Sequence, residues 1–249
     1  MNMNQMIGTT PQIAVIIPCY NHADVLRRTL DALAAQTLLP SEVVVVEDGS
    51  AAPSKHVVEA FQLARPTFPI QYVAFETNRG APAARNEGAR RTTSPFLIFL
   101  DADADLVPDA LESFMSALQA HPEASFAYSN YFHGVRPMPA REFEVKELRR
   151  LNFIHTSSLI RRSDFPGFDE SIKKFQDWDL WLTMAEQGRY GVWVDQFLYR
   201  IEPRKSGGIS FWMPSFMYMR IPWPIFGWMP EEVRKYRTAE RIIRQKHQI

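Results

Sequence analysis

The sequence predicts an α/β domain with a mostly parallel central sheet flanked by helices, followed by a C-terminal aromatic and basic helical extension. Three observations carry this reading. Short β-branched or apolar runs recur at 13–18, 43–47, 70–75 and 96–100, each bounded by turn residues. Helix-length stretches separate them, and that alternation argues for parallel pairing with right-handed crossovers. Two of the apolar runs end in clustered carboxylates, Glu47-Asp48 and Asp101-Ala102-Asp103-Ala104-Asp105.

The elements follow in order. Ile13 to Pro18 reads as a first buried strand, with Pro18 and Asn21 marking its exit loop. Over 23–36, Leu26, Leu30, Leu33 and Ala34 fall on one helical face. Val43, Val44, Val45 and Val46 mark a strand buried on both faces, and Gly49-Ser50 closes a tight loop after it. A weaker helix covers 54–64, a third strand 70–75, and an Ala- and Arg-rich helix 81–92. Strand 96–100 feeds the acidic loop. Pro108 then starts a helix with Leu111, Phe114, Met115 and Leu118 on one side, proline being favoured in a first helical turn. Beyond about residue 125 the alternation loosens: 126–132 and 157–160 read as strands and 177–187 as a helix.

Composition shifts near Ser206, dividing the chain into a 1–205 domain and a 206–249 extension. Residues 211–229 hold seven aromatics and four of the ten methionines, broken by Pro214, Pro222 and Pro224. Residues 231–247 then read as a basic helix with a sparse apolar stripe of Val233, Tyr236 and Ile243. The extension has three readings: packing onto the domain, a peripheral membrane contact through 211–247, or an acceptor or oligomer surface.

With 249 residues and 46% hydrophobic content, the chain can build a large core, which argues against disorder. Its 28 basic and 28 acidic residues cancel, so no global field draws it to nucleic acid. The single cysteine, Cys19, excludes an intramolecular disulfide and fits a reducing, cytoplasmic compartment; inside a strand it reads as a small buried hydrophobe. Residues 1–10 lack the charged region of a signal peptide, and no uncharged apolar run reaches the ~20 residues of a spanning helix. The six histidines lack zinc-like spacing, and no G-x-G-x-x-G follows the first strand.

The Asp101-Ala102-Asp103 triplet is the strongest chemical signal. Two carboxylates one residue apart at a strand end suit a hard cation such as Mg²⁺ or Mn²⁺ and leave coordination sites for phosphate oxygens. A solvated acidic loop is the competing reading of a lone triplet. The second acidic strand end upstream favours a site, because open α/β sheets bind ligands outside the carboxyl ends of their strands.

In their order and spacing, several motifs resemble glycosyltransferase family 2: Ile17-Pro18-Cys19-Tyr20-Asn21, Glu47-Asp48-Gly49-Ser50, Asn78-Arg79-Gly80 with Ala84-Arg85-Asn86, and Leu100-Asp101-Ala102-Asp103. Thr156-Ser157-Ser158, Arg161-Arg162, Gly167-Phe168-Asp169-Glu170 and Gln176-Asp177-Trp178-Asp179-Leu180-Trp181 extend the resemblance over about residues 11–205. It implies the GT-A (nucleotide-diphospho-sugar transferase) fold and a metal-dependent inverting transfer of one sugar from a nucleotide-sugar, UDP-linked, to a hydroxyl of a glycan or lipid-linked acceptor. By the same resemblance Asp48 accepts a hydrogen bond from the base, and Pro18 and Tyr20 line its pocket. Asn78, Arg79, Gly80 and Arg85 border the nucleoside. Asp101 and Asp103 hold ribose and Mn²⁺ or Mg²⁺, with Asp103 the direct ligand, and Asp177 is the general base. A helix N-cap is the plain alternative for Asp177. Asp179 is the fallback base, or else structural. Polysaccharide biosynthesis and a place on the inner face of the membrane are the associated expectations.

Three departures stand out. Glu47 replaces the family's usual Asp, Gln176 replaces its usual Glu, and Ile201 to Gly208 replaces its His-Pro segment. Arg204 and Lys205 in that last stretch either close over the diphosphate or lie in an exposed loop. The first two departures are the best support for a non-catalytic nucleotide-sugar binding module. A nucleotidyltransferase, the other rival, needs an early Gly-rich phosphate loop with a Lys, which residues 17–30 lack.

Overall fold

The computed structural model describes residues 12–64, 66–202 and 229–249. Four parallel strands form one half of the sheet: β1 (Ile13–Cys19), β2 (Glu42–Asp48), β3 (Ile70–Phe75) and β4 (Phe96–Phe99). Helices α1 (Ala23–Ala34), α2 (Lys55–Leu63) and α3 (Ala81–Arg90) connect them. The second half adds β5 (Ala104–Leu106), α4 (Ala110–Ala120), β6 (Phe126–His133), β7 (Arg136–Met138), α5 (Val145–Arg150), β8 (Leu159–Arg161), α6 (Gln176–Glu186) and β9 (Gly191–Ile201). A final helix, α7 (Glu231–Lys246), closes the chain.

The strand order is β3-β2-β1-β4-β8-β6-β9-β5, with β7 paired to β6. The order reverses beside β1, whose neighbours are β2 and β4, so the crevice beyond their carboxyl ends is a topological switch point. β8 runs antiparallel to both β4 and β6, and β5 antiparallel to β9, giving a mixed sheet that stays mostly parallel.

Alternation along the strands builds two cores. Ile13, Val15, Ile17, Val43 and Val45 face α1, α2 and α4, meeting Leu26, Leu30, Leu33, Val58, Phe61 and Phe114. Ala14, Ile16, Leu97 and Phe99 face the other way, onto Phe126, Trp178, Trp181, Met184 and Ile243. Both faces of the parallel strands are covered, which explains their unbroken apolar runs. Cys19 is buried among them, and burial pushes its thiol up to about 12, so it is inert packing.

The structure adds strands that the sequence pattern does not announce. β9 pairs with β6 over its whole length, but two register shifts intervene near Asn130. Asp195 and Gln196 fall in the first of them, and the Asp195 carboxylate accepts the Asn130 amide at 3.0 Å. The C-terminal helix packs on the body: Val233 and Ile243 are fully buried, and Tyr236 meets Phe175 edge-on at 5.0 Å. Residues 203–228, with Arg204, Lys205 and most of the aromatic stretch, lie outside the described residues. No helix among the described residues is long and apolar enough to cross a membrane.

Candidate active site

The site grows from the carboxyl ends of β2, β1 and β4. These neighbours put Asp48, Pro18 to Asn21, and Asp101 on one edge, with Asp48 and Asp101 two strand spacings apart, about 10 Å. Tyr20 is exposed at the end of β1. The β1 and β2 exits are laced together: the Asn21 N–H donates to Ser50 Oγ at 2.7 Å and the Ala51 N–H to Asn21 Oδ1 at 3.3 Å.

Asp48 organises the loop before α3. Its two carboxylate oxygens accept the backbone N–H groups of Arg79 at 2.7 Å and Gly80 at 2.9 Å, while Asn78 Nδ2 donates to the Asp48 carbonyl at 3.2 Å. Burial pushes its carboxyl up, and the two N–H bonds pull it partly back. Arg79 lies over the Phe75 ring at 4.5 Å and faces Glu170 at 3.6 Å. Gly49 makes the close loop approach possible: it has φ +68°, and a Cβ there would sit 2.4 Å from Asn78 N.

Glu47 points elsewhere. Its carboxylate, 1% exposed, accepts Ser54 N at 2.7 Å, Ser54 Oγ at 2.6 Å, the Ser50 hydroxyl and, at 3.5 Å, Tyr72 OH. It fastens the start of α2 to the turn after β2. The extra methylene relative to aspartate supplies the reach.

Asp101 lies at the heart of the cleft. Arg85, buried on α3, donates to its Oδ1 at 2.9 Å and to Gln176 Oε1 at 2.8 Å, bridging β4 to the start of α6. Burial works against the Asp101 charge, but Arg85 and His155 more than offset it and hold the carboxyl below its usual value. Arg85 Nε is buried without a hydrogen-bond partner. Asp103 follows in the turn between β4 and β5, whose backbone is held by Thr29 Oγ1 on the Ala102 carbonyl at 2.7 Å and Arg28 on the Asp103 carbonyl at 3.4 Å.

Asp177 stands in the first turn of α6. Its Oδ2 accepts Asn152 Nδ2 at 2.8 Å and its Oδ1 the Trp178 N–H at 2.9 Å. Burial raises its carboxyl above the usual value, with His155 and Arg85 opposing. Two carboxylates in one cleft are thus pushed apart: Asp101 has a guanidinium partner and stays anionic, while Asp177 has a neutral amide and is the more basic. Asp179 does not join them. It is 3% exposed and faces α7, where Lys246 Nζ reaches its Oδ1 at 2.7 Å and His247 Nε2 lies 2.9 Å from the same oxygen.

His155 belongs to none of the sequence motifs, yet it enters the site. Its Nε2 lies 3.6 Å from Asp101 Oδ2, and its ring lies against Tyr131 and Tyr199, centroids 4.8 and 5.6 Å away. Nδ1 accepts the Ser157 N–H at 3.1 Å, which leaves Nε2 as the proton-bearing nitrogen toward Asp101, and burial lowers the pKa of the ring. Asn152, the partner of Asp177, carries no sequence motif either. Asn86 pairs both ways with the Phe168 backbone, at 2.8 and 2.9 Å, which explains the Arg85-Asn86 and Gly167-Phe168 motifs as halves of one joint. Arg161 and Arg162 donate to backbone carbonyls of Leu118, Ala124, Ala89 and Ser94 and pin loops.

Among the described residues no group of three or more His, Cys, Asp or Glu side chains converges to form a metal cage. What the edge offers is a pair of hard oxygen donors, Asp101 and Asp103. That set fits a cation drawing one or two carboxylates from protein and the rest of its shell from phosphate and water.

A mixed sheet of this order, flanked by helices and with carboxylates at the edge of its switch point, is the architecture of the GT-A fold. The family model for glycosyl transferase family 2 matches residues 14–172, and the chain belongs to that family of glycosyltransferase enzymes. An uncharacterized glycosyltransferase of Haemophilus influenzae is 25% identical over 189 residues, 70% of this chain and 62% of that protein. The chain thus spans about three fifths of that relative. The crystal structure of S. aureus TarS 1–349 in complex with UDP-GlcNAc aligns with a TM-score of 0.67 at 19% identity, covering 84% of this chain and 65% of that one. A mannosyltransferase from Pyrobaculum calidifontis, in complex with GDP-Man and Mn²⁺, aligns with a TM-score of 0.63 at 21% identity, covering 80% and 59%.

Proposed function

We propose that the 1–205 domain transfers a single sugar, with inversion, from a UDP-sugar to a hydroxyl of a glycan or lipid-linked acceptor. The observation that carries this reading is the pair of cleft carboxylates with opposite electrostatics, Asp101 held anionic by Arg85 and Asp177 made basic by burial. The base is held between Tyr20 and Asp48, and Asn78 to Gly80 border the nucleoside. The relatives bound to UDP-GlcNAc and to GDP-Man support a nucleotide-sugar of this class.

Asp103, with Asp101 beside it, would hold Mn²⁺ or Mg²⁺. The cation would neutralise charge on the departing diphosphate, so no protein acid is needed there. Asp177 takes the proton of the acceptor hydroxyl as its oxygen attacks the anomeric carbon. The new C–O bond forms on the face opposite the breaking one, whose electron pair leaves with the diphosphate. Asn152 leaves Oδ1 of Asp177 to share between one backbone N–H and the incoming proton.

The test is a screen of separate nucleotide-sugars with Mn²⁺, read by heat stabilisation and by release of free nucleotide. Stabilisation and turnover with one UDP-sugar are expected. Stabilisation without turnover, with acceptors supplied, would instead point to a binding module. Failure of every nucleotide to stabilise the protein would overturn the reading altogether.

A further inference from the structure

We propose that α7 is a clamp for the base-bearing start of α6, with Lys246 and His247 as positioning residues; the catalytic half of this inference rests on the function proposed above.

The start of α6 does not hold its own shape. Phe175, immediately before it, has a left-handed backbone at φ 62°, ψ 34°. Beta-carbon crowding makes that conformation unfavourable for a bulky residue, and it persists only where surroundings over-determine it. Asp177 lies two residues further on. A small relaxation at Phe175 would therefore swing the carboxylate out of the cleft.

The contacts of α7 fall on this stretch. At its first turn Glu232 meets Lys174 Nζ at 3.4 Å, and one turn later Tyr236 packs edge-on against Phe175. Arg244 lies over the Trp178 ring at 5.4 Å, and Ile243 is fully buried in the same core as Trp178. The last turn supplies the strongest grip. Lys246 Nζ spans Asp169 Oδ2 at 2.7 Å and Asp179 Oδ1 at 2.7 Å. His247, with a side chain 1% exposed, places Nε2 2.9 Å from Asp179 Oδ1 and Nδ1 2.8 Å from Glu186 Oε1. Both ring nitrogens face carboxylates, so both donate and the ring is a cation.

Asp179 makes the coupling specific. It lies two residues after Asp177 in the first turn of α6, and its buried carboxylate takes its charge partners from α7. A buried carboxylate stripped of its cations is strongly unfavourable, and the first turn of α6 would rearrange to hydrate it. Lys246 also reaches Asp169, in the loop that Asn86 joins to α3. The clamp thus touches two of the segments that frame the cleft.

The experiment compares wild type, the double variant K246M/H247Q, the conservative K246R, and R241A on the exposed face of the same helix. Hydrogen exchange of the amides of 178–182, UDP affinity with Mn²⁺, and kcat and KM for the donor are measured on each full chain. In the double variant, exchange at 178–182 should quicken about tenfold or more and kcat should fall about tenfold, with UDP affinity and donor KM unchanged. K246R and R241A should match wild type. Unchanged exchange at 178–182 in the double variant, or a loss confined to KM, overturns the proposal. The exchange arm needs no substrate, so a wild type that turned over no donor would sink the transferase reading while the clamp was still decided.

Discussion

At the scale of single residues, charge partners divide labour among carboxylates that the sequence presents alike. Asp177 is paired with a neutral amide and made more basic by burial; Asp101 is held by Arg85. The D177N variant should therefore keep UDP affinity and lose transfer by about 10²–10⁴-fold, the range for removing a general base. Wild-type kcat in that variant would require another base. Because the base must be ionised, the acid limb of the wild-type kcat profile should lie above the ordinary aspartate value, in the direction that burial shifts Asp177. D103A should abolish the Mn²⁺ dependence of UDP binding as well as transfer; calorimetry with and without Mn²⁺ checks this, and an undiminished metal effect would remove Asp103 as the ligand. Glu47 carries a different expectation. Restoring the family's aspartate by E47D withdraws the carboxylate by about one bond length, 1.5 Å, from Ser54. A buried N–H and hydroxyl then lose their acceptor, which costs about 1–3 kcal/mol and lowers Tm by several degrees. A Tm equal to wild type would mean that the α2 start has another support.

At the scale of elements, the joints between loops decide whether these residues meet. The turn after β2 and the loop before α3 touch only because residue 49 has no side chain. G49A both strains a positive-φ position and forces a methyl into Thr77 and Asn78, so it should cost about 1–3 kcal/mol and weaken UDP binding through displacement of Asp48 and the 78–80 loop. Thermal melts and UDP titration read both effects; an unchanged pair would show that the loop moves freely. The same physics sets what the sequence reveals. β1, β2 and β4 are legible because parallel strands covered on both faces must be continuous apolar runs, and their acidic ends follow directly. β9 is not, because its bulged middle places Asp195 and Gln196 where alternation is needed. β5 and β7 are three residues each and exist only through their partners. His155 and Asn152 are invisible for another reason: Asp101, Tyr131, Tyr199 and Asp177 reach them across 24 to 54 residues of chain, and no spacing rule connects them. The basic helix leaves packing, membrane and acceptor readings open in the sequence, and its packing shows only once Asp179 is seen beneath Lys246 and His247.

At the scale of the whole molecule, docking of the C-terminal helix links stability to pH. Burial works against a charged His247, but the hydrogen bonds to Asp179 and Glu186 more than offset it, so its folded-state pKa is raised above the ordinary histidine value. A group with a raised folded pKa binds its proton more tightly in the native state. Its contribution is therefore complete below the unfolded value and is lost as pH rises through the folded one. Lys246, whose own pKa is raised by Asp169 and Asp179 against the pull of burial, stays charged throughout that range and keeps Asp179 paired, so the loss is partial and the helix remains docked. The glutamine of H247Q can donate to one carboxylate but carries no charge. The Tm gap between wild type and H247Q should be widest near pH ~6, at about 1–3 kcal/mol or several degrees, and should narrow steadily toward pH ~9. A gap that is constant across this range would mean that His247 is docked as a neutral ring. A gap that widens with pH would reverse the sign of the linkage and remove the imidazolium from the joint between α6 and α7.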